Sequence, residues 1–557
     1  MKAALIYPPF VSEATSPPLG VNLLKAYLER ETDAEVRVFD LNIEFYHHAL
    51  KNIGSLDLYP ESVKGKAIST VKQAADLFLP PLKQDFFDQK AYDLRGTLFI
   101  DFFNRSFRSD FSRLKQARYS AAADTSVSMR ELLRPVMEYK PDIAGFSVMY
   151  TPQSPYSVAM AGILKEKGIP SIFGGAKVSF FQEMFERYLG KGPDYLLSGE
   201  GETGLTSLIS WYDKGGRPED VPGLTWKDKG MLMKNRCSDP ADMNSIPAPD
   251  FSDLDLNRYF SPLPVLPVLS SRGCSWQRCV FCNHHKTYLR YRPKKIGPFV
   301  EEIKALSEKH EVNHFYFCDE MMPAKRLLQA SSMLKGTGIS YLALAKPLAD
   351  FNAENLRKVA EGGCRMLLWG VESGSQQVLD RMQKGTDAAT CANVLKMSRN
   401  SGITNFIYLI SGFPSETLEE HRQTLQFLEQ NSGFVDFLIS SPFALEQNAP
   451  IFKEPERFGI KDIKKRQLND FQFTWDFRRT RGMTDEQVKG IDQKRFYRFN
   501  RYPLAFTRLR DHLLLYVSRE YDHQGSGKQG NSEEKFEEKE RDRENSSPKA
   551  SFSWSFS

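Results

Sequence analysis

The strongest constraint on the fold is an alternation of short, β-rich apolar runs with helical patterns, which occurs twice along the chain. The first series comprises Lys2–Tyr7, Glu35–Asp40, Asp142–Met149, Pro170–Phe173 and Asp194–Leu197. Strands that alternate with helices predict a parallel sheet covered by helices on both faces. We therefore expect an α/β fold whose residues 1–214 form a doubly wound, Rossmann-like domain. An insertion at about 46–138, rich in Phe, Leu and Arg, is expected to be helical.

The second series begins after a Pro-punctuated connector at 215–262. Its apolar runs are Val265–Ser271, His314–Cys318, Ile339–Ala345, Arg365–Val371, Asn405–Ser411 and Val435–Ser441. Six strand–helix units are too few for a complete eight-stranded barrel, so residues 263–460 are expected to form a partial (β/α)6 barrel. In such a barrel the residues just past the strand ends carry the chemistry.

The C-terminal part of the chain changes character twice. Residues 461–521 are basic and aromatic, and we expect a helical cap there. Its arginines and lysines are either simply solvated or close the barrel mouth over an anionic or peptide substrate. From 522 onward the sequence is Gly, Ser, Lys and Glu with little apolar content, which predicts a disordered tail. The aromatic end 551–557 resembles a short peptide substrate on a leader, although chance composition is the simpler interpretation.

Composition excludes several classes of protein. A chain of 557 residues exceeds what one hydrophobic core organises, which supports two domains. It has no apolar run near the roughly 18 residues that span a bilayer, and Pro8 ends the N-terminal apolar stretch too early for a signal peptide. A net charge of +5 does not demand nucleic acid. We expect a cytoplasmic protein with no membrane contact and no nucleic-acid partner.

The cysteines cluster. Three of the seven, Cys274, Cys279 and Cys282, lie within nine residues in a loop after the first barrel strand. Three thiolates at this spacing can bind three irons of a [4Fe–4S] cluster and leave the fourth iron open. A zinc site made with His284 or His285 is the alternative. The remaining cysteines of the second domain fall on predicted strands and helices as core residues, with Cys318 at the barrel mouth.

This loop resembles the cluster-binding loop of the radical S-adenosylmethionine (SAM) superfamily. The usual spacing in that family is C-x3-C-x2-C, whereas this chain has C-x4-C-x2-C. The turn Gly412-Phe-Pro-Ser-Glu416-Thr matches the G-x-P-x-E-T pattern of the family's cobalamin-linked branch, and Glu372-Ser-Gly follows the fourth strand. The resemblance implies SAM contacts from residues at the barrel mouth: Phe281, Asp319, Glu320, Lys346, Glu372, Ser373, Gly412 and Glu416.

The first domain resembles the cobalamin-binding domain that precedes many radical SAM barrels. Glycines and polar turns follow its strands, where they allow a large flat ligand to approach the backbone. The resemblance implies cobalamin contacts from Tyr150, Thr151, Gln153, Gly174, Gly175 and Gly199. The chain has no D-x-H-x-x-G element to supply an axial histidine. An ordinary flavodoxin-like domain with tight turns remains the alternative.

The resemblance implies a radical SAM enzyme. A reduced [4Fe–4S] cluster would cleave SAM to a 5′-deoxyadenosyl radical, and bound cobalamin would allow methylation of an unactivated carbon or phosphorus in a natural-product or peptide substrate. Without functional cobalamin, the alternatives are rearrangement, cyclisation or sulfur insertion. An Fe–S electron carrier or a zinc-binding protein would belong to another class. The implied partners are a small-molecule or peptide substrate and an electron donor such as flavodoxin or ferredoxin.

Overall fold

The fold is given by a computed structural model that describes residues 1–11, 14–120, 122–283 and 290–525, the last three of these without their side chains. The first domain is built on a seven-stranded sheet in the order β2-β1-β3-β4-β5-β6-β7. The strands are β1 (Lys2–Tyr7), β2 (Glu35–Asp40), β3 (Ile143–Ser147), β4 (Ser171–Gly174), β5 (Tyr195–Leu197), β6 (Leu224–Asp228) and β7 (Met231–Lys234). The first five pair in parallel, as expected for a doubly wound domain. Their order reverses between β1 and β3, and that switch point is where such sheets bind ligands.

Helices cover both faces of this sheet. They are α1 (Leu19–Glu31), α2 (Leu41–Lys51), α3 (Glu61–Phe78), α4 (Gln89–Gln116), α5 (Met129–Leu132), α6 (Arg134–Tyr139), α7 (Gln153–Glu166), α8 (Ala176–Phe180), α9 (Glu183–Glu186) and α10 (Gly201–Lys214). The segment between β2 and β3 is helical, as its composition predicts, and α3 and α4 bury their apolar faces in the main core.

The expected connector contributes structure of its own. Strands β6 and β7 lie within residues 215–262 and extend the first sheet as an antiparallel edge hairpin. Within the described parts of the chain, no helix is long and apolar enough to cross a membrane.

The second domain has a six-stranded parallel sheet in the order β15-β14-β13-β12-β11-β8, which confirms the partial barrel. Its strands are β8 (Val265–Val268), β11 (His314–Phe317), β12 (Ser340–Ala345), β13 (Cys364–Glu372), β14 (Thr404–Ser411) and β15 (Phe437–Pro442), and β9 (Ser271–Arg272) pairs with β10 (Arg292–Pro293) beside the cysteine loop. The helices are α11 (Ile296–His310), α12 (Ala324–Leu334), α13 (Ala353–Glu361), α14 (Gln376–Arg381), α15 (Ala388–Asn400) and α16 (Leu418–Gln430). They pack on the outward-facing side chains of the strands.

The C-terminal region is more than a helical cap. It contains α17 (Pro450–Lys453), a hairpin of β16 (Ile460–Asn469) and β17 (Gln472–Arg479), α18 (Asp485–Lys489), α19 (Lys494–Tyr497) and α20 (Arg510–Gly525). The rest of the predicted disordered tail, with the aromatic segment 551–557, lies outside the described residues.

Helix α20 lies along the inner face of the partial barrel. At its start, Arg510 Nη1 donates to the hydroxyl of Tyr408 on β14, at 3.0 Å. Near its end, the ring of Tyr521 lies 3.8 Å from the guanidinium of Arg365, at the amino end of β13. Its apolar residues share one core with the inward-facing side chains of the strands and with α3 and α4. The chain's last described helix therefore fills the space that two further strands would close in a complete barrel.

His512 on α20 predicts a pH dependence of stability. Its Nε2 lies 2.6 Å from the carbonyl oxygen of Phe260 and its Nδ1 lies 2.8 Å from the hydroxyl of Tyr92, so the neutral ring satisfies both contacts. Burial lowers the pKa of His512 to about 4 from an ordinary value of 6.5. Below pH 6.5 the unfolded chain binds a proton that the folded chain does not, so stability falls from there toward pH 4.

We expect this histidine to cost the fold about 2 kcal/mol between pH 7 and pH 5. Denaturant unfolding of the wild type and of His512→Gln at the two pH values measures it. Buried Asp40, whose pKa is raised to about 6 by burial, shifts stability in the opposite sense, but equally in both proteins. The variant should therefore lose about 2 kcal/mol less than the wild type. An equal loss in both would contradict the assignment.

Candidate active site

The cysteine loop is tied to the sheet at its first residues. The hydroxyls of Ser270 and Ser271 both donate to Asp319 Oδ1, and the Ser270 N–H donates to Oδ2 at 3.1 Å. Asp319 is buried at the end of β11, and burial raises its pKa while the serine hydrogen bonds act against that rise. Both oxygens of Asp319 accept hydrogen bonds from Ser270 and Ser271, so this residue positions the start of the cysteine loop. Its contact with SAM stays a prediction.

The three cysteines of the loop form the candidate cluster site. Cys274, Cys279 and Cys282 are half-buried, and the first two lie close enough for their charges to interact. Burial raises the pKa of the Cys279 thiol, whereas nearby Lys384 and Lys346 lower it. Within the described residues, no three His, Cys, Asp or Glu side chains converge on a single ion. An iron–sulfur cluster does not require such convergence, because each sulfur binds a different iron. The zinc alternative depends on 284 and 285, which lie outside the described residues.

Trp276 connects the loop to the turn after α14. Its indole N–H donates to the carbonyl of Gln383 at 2.8 Å, and the Lys346 ammonium lies 3.4 Å from the ring centroid. Gly385 has φ +66°, and a Cβ there would lie 1.9 Å from a ring carbon of Trp276. The indole therefore occupies the space that a side chain at position 385 would fill, and only glycine is compatible with it.

Gly385→Ala should displace Trp276 and lower the cluster content of the protein. Gly338→Ala is the matched control, because Gly338 has φ +77° and a Cβ at that position would have no neighbour within 4 Å. Both variants incur the strain of a positive φ, about 1–2 kcal/mol. Iron per chain after anaerobic reconstitution should fall well below wild type only in Gly385→Ala. Equal iron content in the two variants would show that the indole does not hold the loop.

Three charged side chains line the barrel mouth behind the cysteines. Lys384 Nζ lies 2.8 Å from Glu372 Oε1, and both side chains are largely buried. Glu372 has φ +68° at an irregularity in the pairing of β13 with β14, which turns its carboxylate toward the mouth. Lys346 is 4% exposed, and its ammonium has no hydrogen-bond partner among the described residues. Burial, and then the charge of Lys384, lower the pKa of Lys346 to about 8.

The orphaned ammonium of Lys346 fits an anionic ligand. A buried cation without a partner is costly, and a carboxylate such as that of SAM would remove the cost. Lys346, Glu372 and the open iron that three cysteines leave are thus a donor set suited to the amino acid part of SAM.

Other predicted SAM residues support the turns at the mouth. Glu416 Oε2 accepts from the N–H groups of Gly412 and Phe413 at 2.8 and 3.1 Å, so this carboxylate shapes its own turn. Ser373 is fully buried, and its hydroxyl bonds Thr424 Oγ1 at 3.0 Å. Their predicted contacts with SAM stay predictions.

Two further predicted residues face the mouth less directly. Phe281 packs at the edge of an apolar group that includes Val280 and Phe413. Glu320 is half-buried at the end of β11, where its charge reaches Tyr150 of the first domain.

The switch point of the first sheet presents a flat aromatic surface. The rings of Phe10, after β1, and Tyr150, after β3, stack at 4.3 Å with an angle of 8° between them. Tyr150 is 48% exposed. Gln153 is fully buried and braces both loops, since its Oε1 accepts from the N–H groups of residues 149 and 150 and its Nε2 donates to the Pro8 carbonyl. Of the predicted cobalamin contacts at this point, Tyr150 offers surface, whereas Gln153 and the buried Thr151 lie beneath it.

The predicted glycines form the next turns along the same edge. Gly175 has φ +96°, and a Cβ there would lie 2.6 Å from the carbonyl oxygen of Val148. Gly174 ends β4 beside it. Gly199 has φ +90° and donates its N–H to Ser179 Oγ at 3.0 Å. The turns at Gly175 and Gly199 need glycine for their own backbone, and their contacts with cobalamin stay predictions.

The carboxyl edges of the two sheets face one another. Arg272, in the cysteine loop, bonds Glu200 and Glu202 of the first domain at 2.5 Å each, and Arg292 also contacts Glu200. These four residues, which we call the interdomain ion-pair group, are almost fully buried. The result is one crevice with the aromatic switch point on one side and the barrel mouth on the other.

A set of charge interactions crosses the same crevice. The charges of Arg510 and Glu320 reach Tyr150, and that of Glu446 reaches Lys177, which follows β4. Burial lowers the pKa of Lys177 to about 8. Sequence reasoning missed Arg510, Trp276 and Lys384, because only the folded chain brings them to the mouth.

Comparisons with known proteins agree with this geometry. The profile of the Radical SAM superfamily matches residues 268–428. An uncharacterized methyltransferase of Pyrococcus horikoshii is 27% identical over 332 residues, which are 57% of this chain and 70% of that protein. An anaerobic magnesium-protoporphyrin IX monomethyl ester cyclase of Cereibacter sphaeroides is 24% identical over 435 residues, 72% of this chain and 68% of that one.

A solved structure has a similar fold over most of this chain. The cobalamin-dependent SAM radical enzyme OxsB, with aqua-cobalamin bound, superposes with a TM-score of 0.60 at 17% identity over 86% of this chain. The match covers 64% of the OxsB chain, so this protein spans less than two thirds of that length. At such identity the likeness shows the fold.

Proposed function

Because residues 268–428 match the Radical SAM superfamily, we propose that this chain is a cobalamin-dependent methyltransferase of that superfamily. Its substrate would be a small molecule or peptide that receives the methyl group on an unactivated carbon or phosphorus. The relative from Pyrococcus, which is named a methyltransferase, supports the reaction type.

The proposal rests on one observation: the carboxyl edges of the two parallel sheets face each other across the crevice. A ligand on the Phe10–Tyr150 surface and a ligand on the cysteine loop would share one crevice, closed at one end by the interdomain ion-pair group. Methyl transfer from one cofactor to a substrate activated by the other requires that proximity.

The residues present fit the cofactors. Cys274, Cys279 and Cys282 would bind the cluster, and Lys346 would bind the SAM carboxylate. When bound, the reduced cluster supplies the electron that cleaves SAM to methionine and a 5′-deoxyadenosyl radical, and the corrinoid supplies a transferable methyl group. The stacked Phe10–Tyr150 pair offers a corrin face an apolar wall that carries no nitrogen ligand.

The protein's own part is to position these groups and to keep water out. The Lys384–Glu372 pair fixes a carboxylate at the mouth for ribose hydroxyls or an ammonium. Trp276 covers the buried ammonium of Lys346 and holds the cysteine loop against the turn after α14. Helix α20 fills the barrel behind the mouth and so denies water an entry from below.

Surface charge supports an acidic electron donor such as flavodoxin or ferredoxin. A groove beside the cysteine loop is lined by Arg278, Lys453 and Arg457, together with Glu454. A net positive rim close to the cluster would favour an acidic partner. The seven cysteines, all within the described residues, form no disulfide, which fits a reducing compartment such as the cytoplasm.

Product analysis tests the proposal. The reconstituted holoenzyme is incubated anaerobically with SAM and a strong reductant, and 5′-deoxyadenosine and S-adenosylhomocysteine are quantified. A cobalamin-dependent methyltransferase should form both, and S-adenosylhomocysteine should require added cobalamin. Formation of 5′-deoxyadenosine alone would reject methyl transfer and favour a cyclisation, as in the relative from Cereibacter.

A further inference from the structure

Arg510 stands out among the residues of the crevice. It begins α20, and its Nη1 donates to the Tyr408 hydroxyl at 3.0 Å. Its charge reaches Tyr316 on β11 and, across the crevice, Tyr150 of the first domain. The residue is half-buried, so part of its side chain is accessible to solvent.

No acidic side chain in the described part of the chain forms a direct ion pair with this guanidinium. The charge of neighbouring Asp511 reaches Arg510, but the Asp511 carboxylate accepts a hydrogen bond from Thr15 Oγ1 at 2.7 Å instead. Tyr408 takes one of five N–H donors and is a neutral acceptor. A guanidinium is not deprotonated in proteins, so Arg510 remains charged at every accessible pH.

A charged arginine in this position is costly unless an anion joins it. Removing a cation from water carries a penalty that a neutral phenol offsets only in part. A guanidinium matches the planar carboxylate and the phosphate in a bidentate geometry, which makes these the natural ligands. The other two cations near the mouth are differently placed: Lys384 is paired with Glu372, and Lys346 faces the cysteines.

We propose that Arg510 binds an anionic group of the substrate, a carboxylate or a phosphate, at the floor of the crevice. The inference rests on the proposed function and names its substrate class. Under this proposal, Arg510 is the residue through which the basic C-terminal region recognises the substrate.

Ligand-observed NMR with simple probes tests the proposal. Methylphosphonate and acetate are the charged probes, and dimethyl methylphosphonate is the uncharged control, each added to the reconstituted holoenzyme. We expect saturation transfer to the charged probes in the wild type and about 10- to 100-fold weaker binding in Arg510→Gln, since hydrogen bonds to charged groups contribute about 1.5–3 kcal/mol. Arg510→Lys should bind with intermediate strength. Equal binding by wild type and Arg510→Gln would overturn the proposal.

Arg365→Gln is the matched control variant. It also removes a guanidinium that packs on α20, over Tyr521, but at the opposite end of the barrel. Probe binding in this variant should equal that of the wild type. Iron content and melting temperature are measured for each protein. If Arg365→Gln weakens probe binding as much as Arg510→Gln does, the loss results from a disturbed helix α20 and the proposal fails.

The wild-type protein alone gives a second test that needs no variant to fold. Phenylglyoxal modifies accessible arginines, and peptide mass spectrometry locates the modified residue. Methylphosphonate should protect Arg510, and an unprotected Arg510 would contradict the proposal.

Arg510 could instead bind an anionic group of SAM or of cobalamin, and two further experiments test these alternatives. If saturating SAM abolishes the part of the probe binding that Arg510→Gln removes, the site belongs to the SAM carboxylate and the proposal fails. If Arg510→Gln weakens binding of cobalamin but not of cobinamide, which lacks the nucleotide phosphate, the site belongs to the corrinoid and the proposal also fails. SAM cleavage by the wild type is assayed separately. If the proposed function is wrong, that assay fails, whereas the difference in probe binding between the wild type and Arg510→Gln does not depend on it.

Discussion

Cys279→Ala should lose its iron and its SAM cleavage together. The wild type is expected to hold about four irons per chain after reconstitution, and the variant should fall to background because two thiolates cannot retain the cluster. Formation of 5′-deoxyadenosine should fall to background with it. Iron analysis and product quantification in the same samples measure both effects.

Cys237→Ala is the control for this experiment. Cys237 is exposed in the first domain, and its thiol contacts the carbonyl of Ser198, far from the cysteine loop in sequence. It should keep full iron content and full SAM cleavage. A Cys279→Ala protein that retains its iron would show that the cluster is held elsewhere, and the barrel mouth would lose its assigned chemistry.

Arg272→Met should cause the largest loss of stability among single substitutions at the crevice. Arg272 is the only hydrogen-bond partner that the described residues offer the Glu202 side chain, which is 2% exposed. Its loss leaves a buried carboxylate without its ion-pair partner, which costs about 3–5 kcal/mol. Burial acts to raise the pKa of Glu202, but the charge and hydrogen bond of Arg272, with a smaller contribution from Arg292, leave that pKa lowered.

Thermal melting and denaturant unfolding measure the effect. Arg130→Met removes an exposed ion pair with Glu166, formed at 2.7 Å, and should change stability by less than about 1 kcal/mol. The double variant Arg272→Met/Glu202→Gln should recover part of the loss, because the unpaired charge is then gone. An Arg272→Met protein as stable as Arg130→Met would show that the domains are not held together at this contact.

Local pattern predicted most of the scaffold. Apolar runs such as Lys2–Tyr7 and Ile339–Ala345 are strands within one or two residues of their expected bounds, because each is bounded by turn residues and too short for a buried helix. The β6–β7 hairpin was missed although its Asp228-Lys-Gly turn carries a hairpin signal. The path of α20 through the barrel depends on contacts with β11 to β14, which no local pattern encodes.

In the candidate site, too, local sequence predicted some features, and others depend on contacts between distant parts of the chain. Strand-end positions placed Lys346 and Glu372 at the barrel mouth, where the structure has them, and their contacts with SAM stay predictions. Asp319 and Glu416 also stay predicted SAM contacts, but the sequence did not show that both accept hydrogen bonds from the backbone or hydroxyls of nearby turns. Arg510 could not be found, because the sequence does not show which of many basic residues the last helix carries to the crevice.

The corrinoid content per chain tests the central claim most directly. The protein is purified anaerobically with cobalamin supplied, its cluster is reconstituted, and cobalt and iron are measured in the same sample. The crevice between the Phe10–Tyr150 surface and the barrel mouth predicts about one corrinoid per chain beside about four irons. Near zero corrinoid with an intact cluster would contradict cobalamin-dependent methyl transfer and leave the first domain as a substrate-binding element.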